Sequence, residues 1–509
     1  MQNHYDVVIV GSGLGGLVSA IILAKEGYSV CVLEKNQQFG GNLQTFTRNK
    51  TIFDTGVHYL GGLSEGQNLF KYFNYLGIAH DLNLKKMDEL AYDRITFGND
   101  PQWYPHAQGY AKFEEELIKK FPTESEAIMA YSKKMKETCS KFPLYSLQKG
   151  SPYDLSVFQE STWEVVNALT QNKKLQAVLM GSNYLYAGLK STPFYVHALS
   201  VNSYIESSYR CINGGSQITK LLIRKLKRLG GVALKHQEVV KMDLKEDKIS
   251  KVSCLNGTEF TANWVISNIE PQTTLNMFGE SPLKKPYINR IKNIKKTVAA
   301  FSLYIVFKPD TFKYFNHNIY HFKTPEKVWT SQDYDIQNWP ESYMVSLGVK
   351  KNMDDYAENM TIMSYMRYEE VLPWAHTFHT VKYKNERGQT YEEFKAEKTE
   401  QILLELEKQF PAIRSCILET YTSTPLSYRD YIGSLGGSMY GFLKDAEKPM
   451  QAILSPKTKI DNLLFTGQSL NMHGILGVTI GAVLTCSEIL GKAYLVDAIN
   501  EANQTQEIT

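Results

Sequence analysis

Cysteine is scarce. The chain has six in 509 residues (Cys31, Cys139, Cys211, Cys254, Cys416 and Cys486), with no CxxC pair and no ligand-like spacing. Disulfide frames and structural metal sites need close or matched sets of thiols. No metal is therefore expected, and the thiols read as reduced and buried. An excess of charge is missing too. Lys and Arg number 56 against 53 Asp and Glu, a net +3, which gives no reason to expect a nucleic-acid partner. There is no unbroken apolar run of the ~18 residues a spanning helix needs. No signal peptide fits at the start, because Tyr5–Val10 already reads as a strand. The expected location is cytoplasmic, with peripheral contact to a membrane left open. Also absent are a CxxxxC redox pair and a second GxGxxG between strand and helix. Their absence excludes the pyridine-nucleotide disulfide reductases and any dedicated NAD(P)H domain.

What is present is an ordinary globular composition, 43% hydrophobic and 21% charged, in a chain of 58.0 kDa. That exceeds the size at which a single core stops growing, so at least two domains are expected. The 32 Tyr and 23 Phe suit either aromatic-lined pockets or a large core. Near the start, "VVIVGSGLGGLVSAIILAKEG" places Gly11-Ser12-Gly13-Leu14-Gly15-Gly16 between a β-branched strand and a helix read over Leu17–Gly27. In such a turn Gly11 permits the tight bend, Gly13 lets backbone approach a pyrophosphate, and Gly16 lets helix and strand pack closely. N–H groups at the helix start favour phosphate charge. A second strand, Ser29–Leu33, ends in Glu34, roughly the 20 residues on at which an acid meets ribose hydroxyls. The fingerprint serves NAD and FAD alike. Near the other end, "NLLFTGQSLNMHGILGVTIGAVL" reads as a buried strand, a Gly-rich turn and a helix of small apolar residues; tight packing alone would also explain such a helix.

Three stretches, "NQQFGGNLQTF", "TIFDTGVHYLGG" and "LLFTGQSLNMHGILGVTIGAV", resemble the phytoene desaturase and carotenoid isomerase group of FAD oxidoreductases. The retinol saturases are the most similar branch, through "FDTGVHYLGG", "LLFTGQ" and "KLQAVLMGSNYLYAGLKSTPFYVHALSVNSYIE". The resemblance implies an α/β fold: a Rossmann-type FAD-binding domain, discontinuous in sequence over 1–65, 206–275 and 441–495, with an inserted α+β substrate domain from 66–205 and 276–440. Residues 496–509 read as a polar tail, frayed from Asn500. By the same resemblance Gly40, Gly41, Asn42 and Leu43 follow the FAD pyrophosphate behind Glu34 and Lys35. Gly56 and Val57 pass the isoalloxazine, Val239 lies against the adenine, and Gly467 and Gln468 reach the ribityl or phosphate region. Gly474, Ile475 and Leu476 would open a helix whose N–H groups face the flavin ring. Two positions depart from the wider pattern, Asn42 where Arg is usual and Gln468 where Asp is common.

Proton-handling candidates at the ring are His58, Tyr59 and His473, since His titrates near neutrality and Tyr can donate despite its high pKa. Either His could instead hold a backbone carbonyl. His58 agrees with the saturases, where desaturases tend to have Pro, which favours saturation of a C=C bond in a lipophilic conjugated polyene by hydride transfer from flavin N5. Desaturation and cis–trans isomerisation are the same-class alternatives, and a redox-silent, FAD-stabilised polyene-binding protein is the alternative from another class. The implied partners are a lipophilic small molecule and an external electron donor or acceptor. Of Tyr184, Tyr186, Tyr195 and Tyr204, only some should touch substrate, the rest being core. "KKPYINRIKNIKKTV", from Lys284 to Val298, reads either as an interfacial helix docking on anionic lipid or as a plain solvated face.

Overall fold

The computed structural model describes residues 3–150, 155–279, 283–351, 355–384 and 386–504. Its first sheet grows from the N-terminal strand His4–Val10, whose Val7, Val8 and Ile9 are wholly buried. A strand apolar at consecutive positions must be covered on both faces, as parallel strands are. It pairs in parallel with Val30–Leu33 on one side and Glu259–Ser267 on the other. Val232–Leu234 extends the sheet beyond Val30–Leu33. On the far side of Glu259–Ser267 lies Leu463–Phe465, again parallel, so that Ser267 is opposite both Val10 and Phe465. An antiparallel hairpin, Val239–Lys245 and Lys248–Cys254, joins the start of the same strand. The two Gly-rich turns therefore emerge side by side from the same end of one sheet. Behind them helix Leu14–Lys25 packs on helix Gly474–Leu490, both built of residues small or apolar enough to bury nearly all round.

A second sheet of seven strands runs Ile417–Ser423, Ala299–Phe307, Asn359–Met366, Ser342–Leu347, Asn318–Phe322, Asp93–Phe97, Trp103–His106. It is antiparallel except where Asn318–Phe322 meets Asp93–Phe97. Helix Gln389–Gln409 covers one face through Ile402, Leu403 and Leu406. Helices drawn from 110–206, notably Phe194–Glu206, complete a lobe over the cofactor sheet's turns. The fold is α/β as expected.

The expected polar tail needs correction up to Gln504. Residues Lys492–Gln504 form a helix that buries Leu495, Val496 and Ile499. It is tied to the helix Asn68–Leu76: Asn74 Nδ2 donates to Ala502 O at 3.0 Å, and Asn503 Nδ2 donates to Lys71 O at 3.1 Å. The spacing i, i+1, i+4 makes a narrow apolar stripe, which a count of polar residues conceals. Residues 505–509 lie outside the described residues. In the basic segment, helix Lys285–Asn293 turns Ile291 inward, with Ile294 just beyond it, while Lys285, Arg290 and Lys292 are exposed. An interfacial helix needs its apolar face free; here that face is used on the core. No helix among the described residues is long and apolar enough to cross a membrane. All six cysteines are free and buried.

Candidate functional site

A long cleft runs along the mouth of the first sheet. Of the residues expected to hold the cofactor, all line it except Gly16 and Leu476. Gly16 lies beneath the floor, where an added Cβ would stand 2.3 Å from Gly11 O. Leu476 lines a neighbouring cavity instead. The floor is a backbone cradle. Gly13 and Gly40 form a parallel bridge, and a Cβ on Gly41 would lie 3.3 Å from Gly13 Cα. A Cβ on Gly15 would lie 3.1 Å from Gly467 N. The N-terminal and C-terminal turns thus touch, leaving room along the cleft for an extended phosphate-bearing group but none for side chains.

Glu34 stands at the expected edge of the cleft and also braces the turn. Its Oε2 accepts from the Ser12 hydroxyl at 2.5 Å and the Ser12 N–H at 3.2 Å, and its Oε1 accepts from Asn36 N at 2.8 Å. Ser12 Oγ in turn accepts from Gly40 N at 3.1 Å. Asn42 and Gln468, the two departures from the wider pattern, meet: Asn42 Nδ2 donates to Gln468 Oε1 at 3.2 Å. A neutral pair thus couples the front loop to the rear turn.

Sequence reading missed several lining groups. Asn268, at the end of the central strand, donates to Gly11 O at 3.3 Å and sits between both turns. Tyr428, Tyr431, Ile432 and Gly433 close one wall from an irregular segment that carries no motif. Glu270 lines the cleft with one carboxylate oxygen accepting from Ser469 at 3.0 Å, and burial raises its pKa.

At the far end of the cleft stand Gly56, Val57, His58 and Tyr59, faced by Tyr184, Tyr204, Tyr320 and Tyr440 and by the first residues of helix Gly474–Leu490. Burial pushes His58 down to about 4, with the Arg210 cation adding to the effect, so its imidazole is neutral. Tyr59 is buried, and its hydroxyl donates to Asp93 Oδ2 at 2.9 Å while lying 2.6 Å from the Tyr320 hydroxyl. His473 Nε2 is 3.2 Å from Leu185 O, so that nitrogen carries the hydrogen; burial holds this ring also at about 4, with Lys444 adding to the effect and the Leu185 carbonyl opposing it. It lies against Tyr440 with the rings tilted by 33°, centroids 4.5 Å apart.

Beside this end lies a second cavity of about 650 Å³. Its walls are mostly apolar, with Leu69, Phe142, Phe158, Tyr195, Met472 and Ile480 prominent. It shares Leu185, Tyr204, Gly474 and Ile475 with the cleft. Of the four tyrosines singled out, Tyr184 faces the cleft, Tyr195 the cavity and Tyr204 both. Tyr186 faces neither; its hydroxyl is 2.9 Å from His197 Nδ1 in the core. Among the described residues no group of three or more His, Cys, Asp or Glu could hold a metal ion.

Residues 9–76 match the NAD(P)-binding Rossmann-like domain family. With the cradle above, this makes the cleft a site for a flavin or dinucleotide cofactor. Over 99% of its length the chain is 27% identical to all-trans-retinol 13,14-reductase of Danio rerio, covering 89% of that protein. It is 24% identical, over 98% of the chain and 88% of the relative, to a protein of the same fish named inactive all-trans-retinol 13,14-reductase. Prolycopene isomerase 1, chloroplastic, of an Oncidium hybrid cultivar is 23% identical over 97% of this chain and 86% of its own. Among solved structures, cyclohexylamine oxidase from Brevibacterium oxydans IH-35A superposes with a TM-score of 0.61 at 13% identity, covering 99% of both chains. From one end to the other the chain is similar to retinol reductases and, at lower identity, to carotenoid isomerases, the resemblance its motifs carry.

Proposed function

We propose that the chain is an FAD-dependent oxidoreductase that saturates a C=C bond of a lipophilic conjugated polyene, retinoid or carotenoid in kind. The observation that carries this reading is the junction of two spaces: a dinucleotide cradle and a large apolar cavity sharing one wall at Leu185, Tyr204, Gly474 and Ile475. Gly11–Gly15 with Gly40–Leu43 would hold the diphosphate, Glu34 the ribose, Val239 the adenine side, and Gly467 and Gln468 the ribityl chain. FAD, when bound, supplies a two-electron hydride donor or acceptor.

The chain's own residues do the rest. The start of helix Gly474–Leu490 directs N–H groups and a positive dipole end toward the ring end of the cleft, favouring negative charge that develops there. The apolar cavity orients a polyene and excludes water. His58, neutral near pH 7, serves as a hydrogen-bonding wall, and Tyr59 handles the proton that saturation requires. His473 holds the Leu185 carbonyl and so fixes the shared wall.

The test is to reconstitute the protein with FAD, reduce it without oxygen and add all-trans-retinol or a carotenoid. Flavin reoxidation with a blue-shifted polyene spectrum is the expected result. Polyene change without net flavin change would mean isomerisation, and in a parallel sample left oxidised, bleaching of the flavin on mixing would mean desaturation. A second reading, a redox-silent polyene-binding protein, is favoured by one observation, the relative named inactive; silence across such a panel would select it.

A further inference from the structure

Asp93 opens the strand Asp93–Phe97 and is completely buried, yet among the described residues no cation hydrogen-bonds to its carboxyl. Its Oδ1 accepts from Asn318 Nδ2 at 2.8 Å and its Oδ2 from the Tyr59 hydroxyl at 2.9 Å. Arg210, buried beside them, donates to Ser346 Oγ at 2.6 Å, His317 O at 2.7 Å and Asn318 Oδ1 at 2.9 Å. The amide of Asn318 thus stands between guanidinium and carboxyl. From Asp93 a chain of hydroxyls runs outward: Tyr59, then Tyr320 at 2.6 Å, where either oxygen can be the donor. Both tyrosines line the ring end of the cleft, and Asp93 lies behind them.

We propose that Asp93, Tyr59 and Tyr320 form a proton wire, with Asp93 as the store and Tyr320 as the group that protonates the polyene; this rests on the saturation reading above. With Asp93 protonated, its O–H donates to Tyr59, Tyr59 donates to Tyr320, and the Tyr320 hydrogen points into the cleft. In the reaction a C–H bond forms between that hydrogen and one carbon of the C=C as the Tyr320 O–H bond breaks. Each hydroxyl takes a proton from its neighbour, and Asp93 is left as carboxylate. FAD, bound and reduced, would supply the electron pair as hydride to the adjacent carbon, so that reduction of the alkene would balance oxidation of the cofactor while the proton count closes on Asp93. The hydrogen bonds then all point toward Asp93, and the reverse hops recharge it from water once product leaves.

The groups facing Asp93 leave it alone in titrating near neutrality. Tyr59, Tyr92, Tyr204 and Tyr320 surround it, all held neutral with burial raising their pKa values. His106, opposite it in the next strand, is pushed by burial to about 4 and is neutral. Burial pushes Asp93 itself up to about 7, against the pull of Asn318, Tyr59 and Arg210.

Asp93→Asn keeps the shape and an acceptor oxygen but cannot release a proton; Tyr320→Phe keeps the ring and cuts the wire at its outlet. In FAD-loaded, prereduced enzyme mixed with all-trans-retinol, each variant is expected to slow polyene loss by about 10²-fold, to lose the fall in rate as pH rises through neutrality, and to lose the solvent deuterium effect. A second readout needs no turnover: Asp54 is also raised to about 7, so the infrared difference between wild type and Asp93→Asn should isolate one carbonyl band of a protonated carboxylic acid that titrates near pH 7 and is missing from the variant. Wild-type rates and an unchanged pH profile in both variants would overturn the wire, as would a wild type without that band. If the wild type reduces no polyene, the saturation reading fails and the delivery step with it, while the band still reports whether Asp93 stores a proton.

Discussion

Gly13 and Gly16 lie three positions apart in the same turn, and the structure separates their duties. A Cβ on Gly16 would sit 2.3 Å from Gly11 O and 3.2 Å from both Asn268 Nδ2 and Ile9 Cγ2. The first of these is backbone and cannot rotate away, so strand and helix must part by most of an ångström. Overpacking of this kind costs about 1–3 kcal/mol, and the rigid partner puts Gly16→Ala at the upper end, ~10²-fold in the folding equilibrium. A Cβ on Gly13 would meet only Asn268 Nδ2 at 2.9 Å, the far end of a side chain that can swing aside. Gly13→Val should therefore fold but fill the cradle. Losing even two backbone N–H bonds to a charged diphosphate, at about 1.5–3 kcal/mol each, lowers affinity by ~10²–10⁴-fold. The assay is thermal melting of the cofactor-free protein beside flavin retention on gel filtration. Gly16→Ala should lower Tm with or without cofactor. Gly13→Val should melt near the wild type when cofactor-free, yet elute colourless. A Gly13→Val protein with full flavin occupancy would refute the placement of the diphosphate.

Asn42→Ala and Gln468→Ala should each weaken cofactor binding, and their double variant should fall short of additivity by about 0.5–1.5 kcal/mol in a cycle of flavin affinities; strict additivity would mean that the 3.2 Å contact is idle. Ile499→Ala, at a wholly buried site, should cost about 2–5 kcal/mol in urea unfolding, where a solvated polar tail would tolerate it without change. Stability should rise with pH from about 4 to 6.5. His58, His106, His197, His317, His321 and His473 are all held by burial at about 3 to 4 against an ordinary 6.5, so the unfolded chain binds more protons in that window. Asp54 and Asp93, raised by burial from 3.8 to about 7, and Glu206 and Glu270, also raised by burial, bind more protons when folded and oppose the trend, but they are four groups against six. A Tm that falls across that window would refute this balance.

The cofactor sheet was legible because its signals are local. A β-branched run, a glycine turn and an apolar helix occupy neighbouring positions, and parallel strands buried on both faces leave no polar residues to blur them. Residues joined across long separations were not legible. Asn268 carries no motif, and its work becomes visible only when Gly11 and Gly467 are brought to either side of it. Asp93 carries no motif either; only register places it beside Asn318 and behind Tyr59. The last helix was misread because three buried apolar residues in thirteen do not outweigh polar neighbours in a composition count.

Strand Glu259–Ser267 has the first strand of the chain on one edge and the last on the other. While the polypeptide is being made, that second edge stays bare until Leu463–Phe465 has left the ribosome. The nascent protein must wait with an unfinished sheet and half a nucleotide site, exposed to any other strand that finds the gap. Closure of the nucleotide site thus waits on a strand made long after the first glycine turn, and a chain stopped before Leu463–Phe465 cannot complete it.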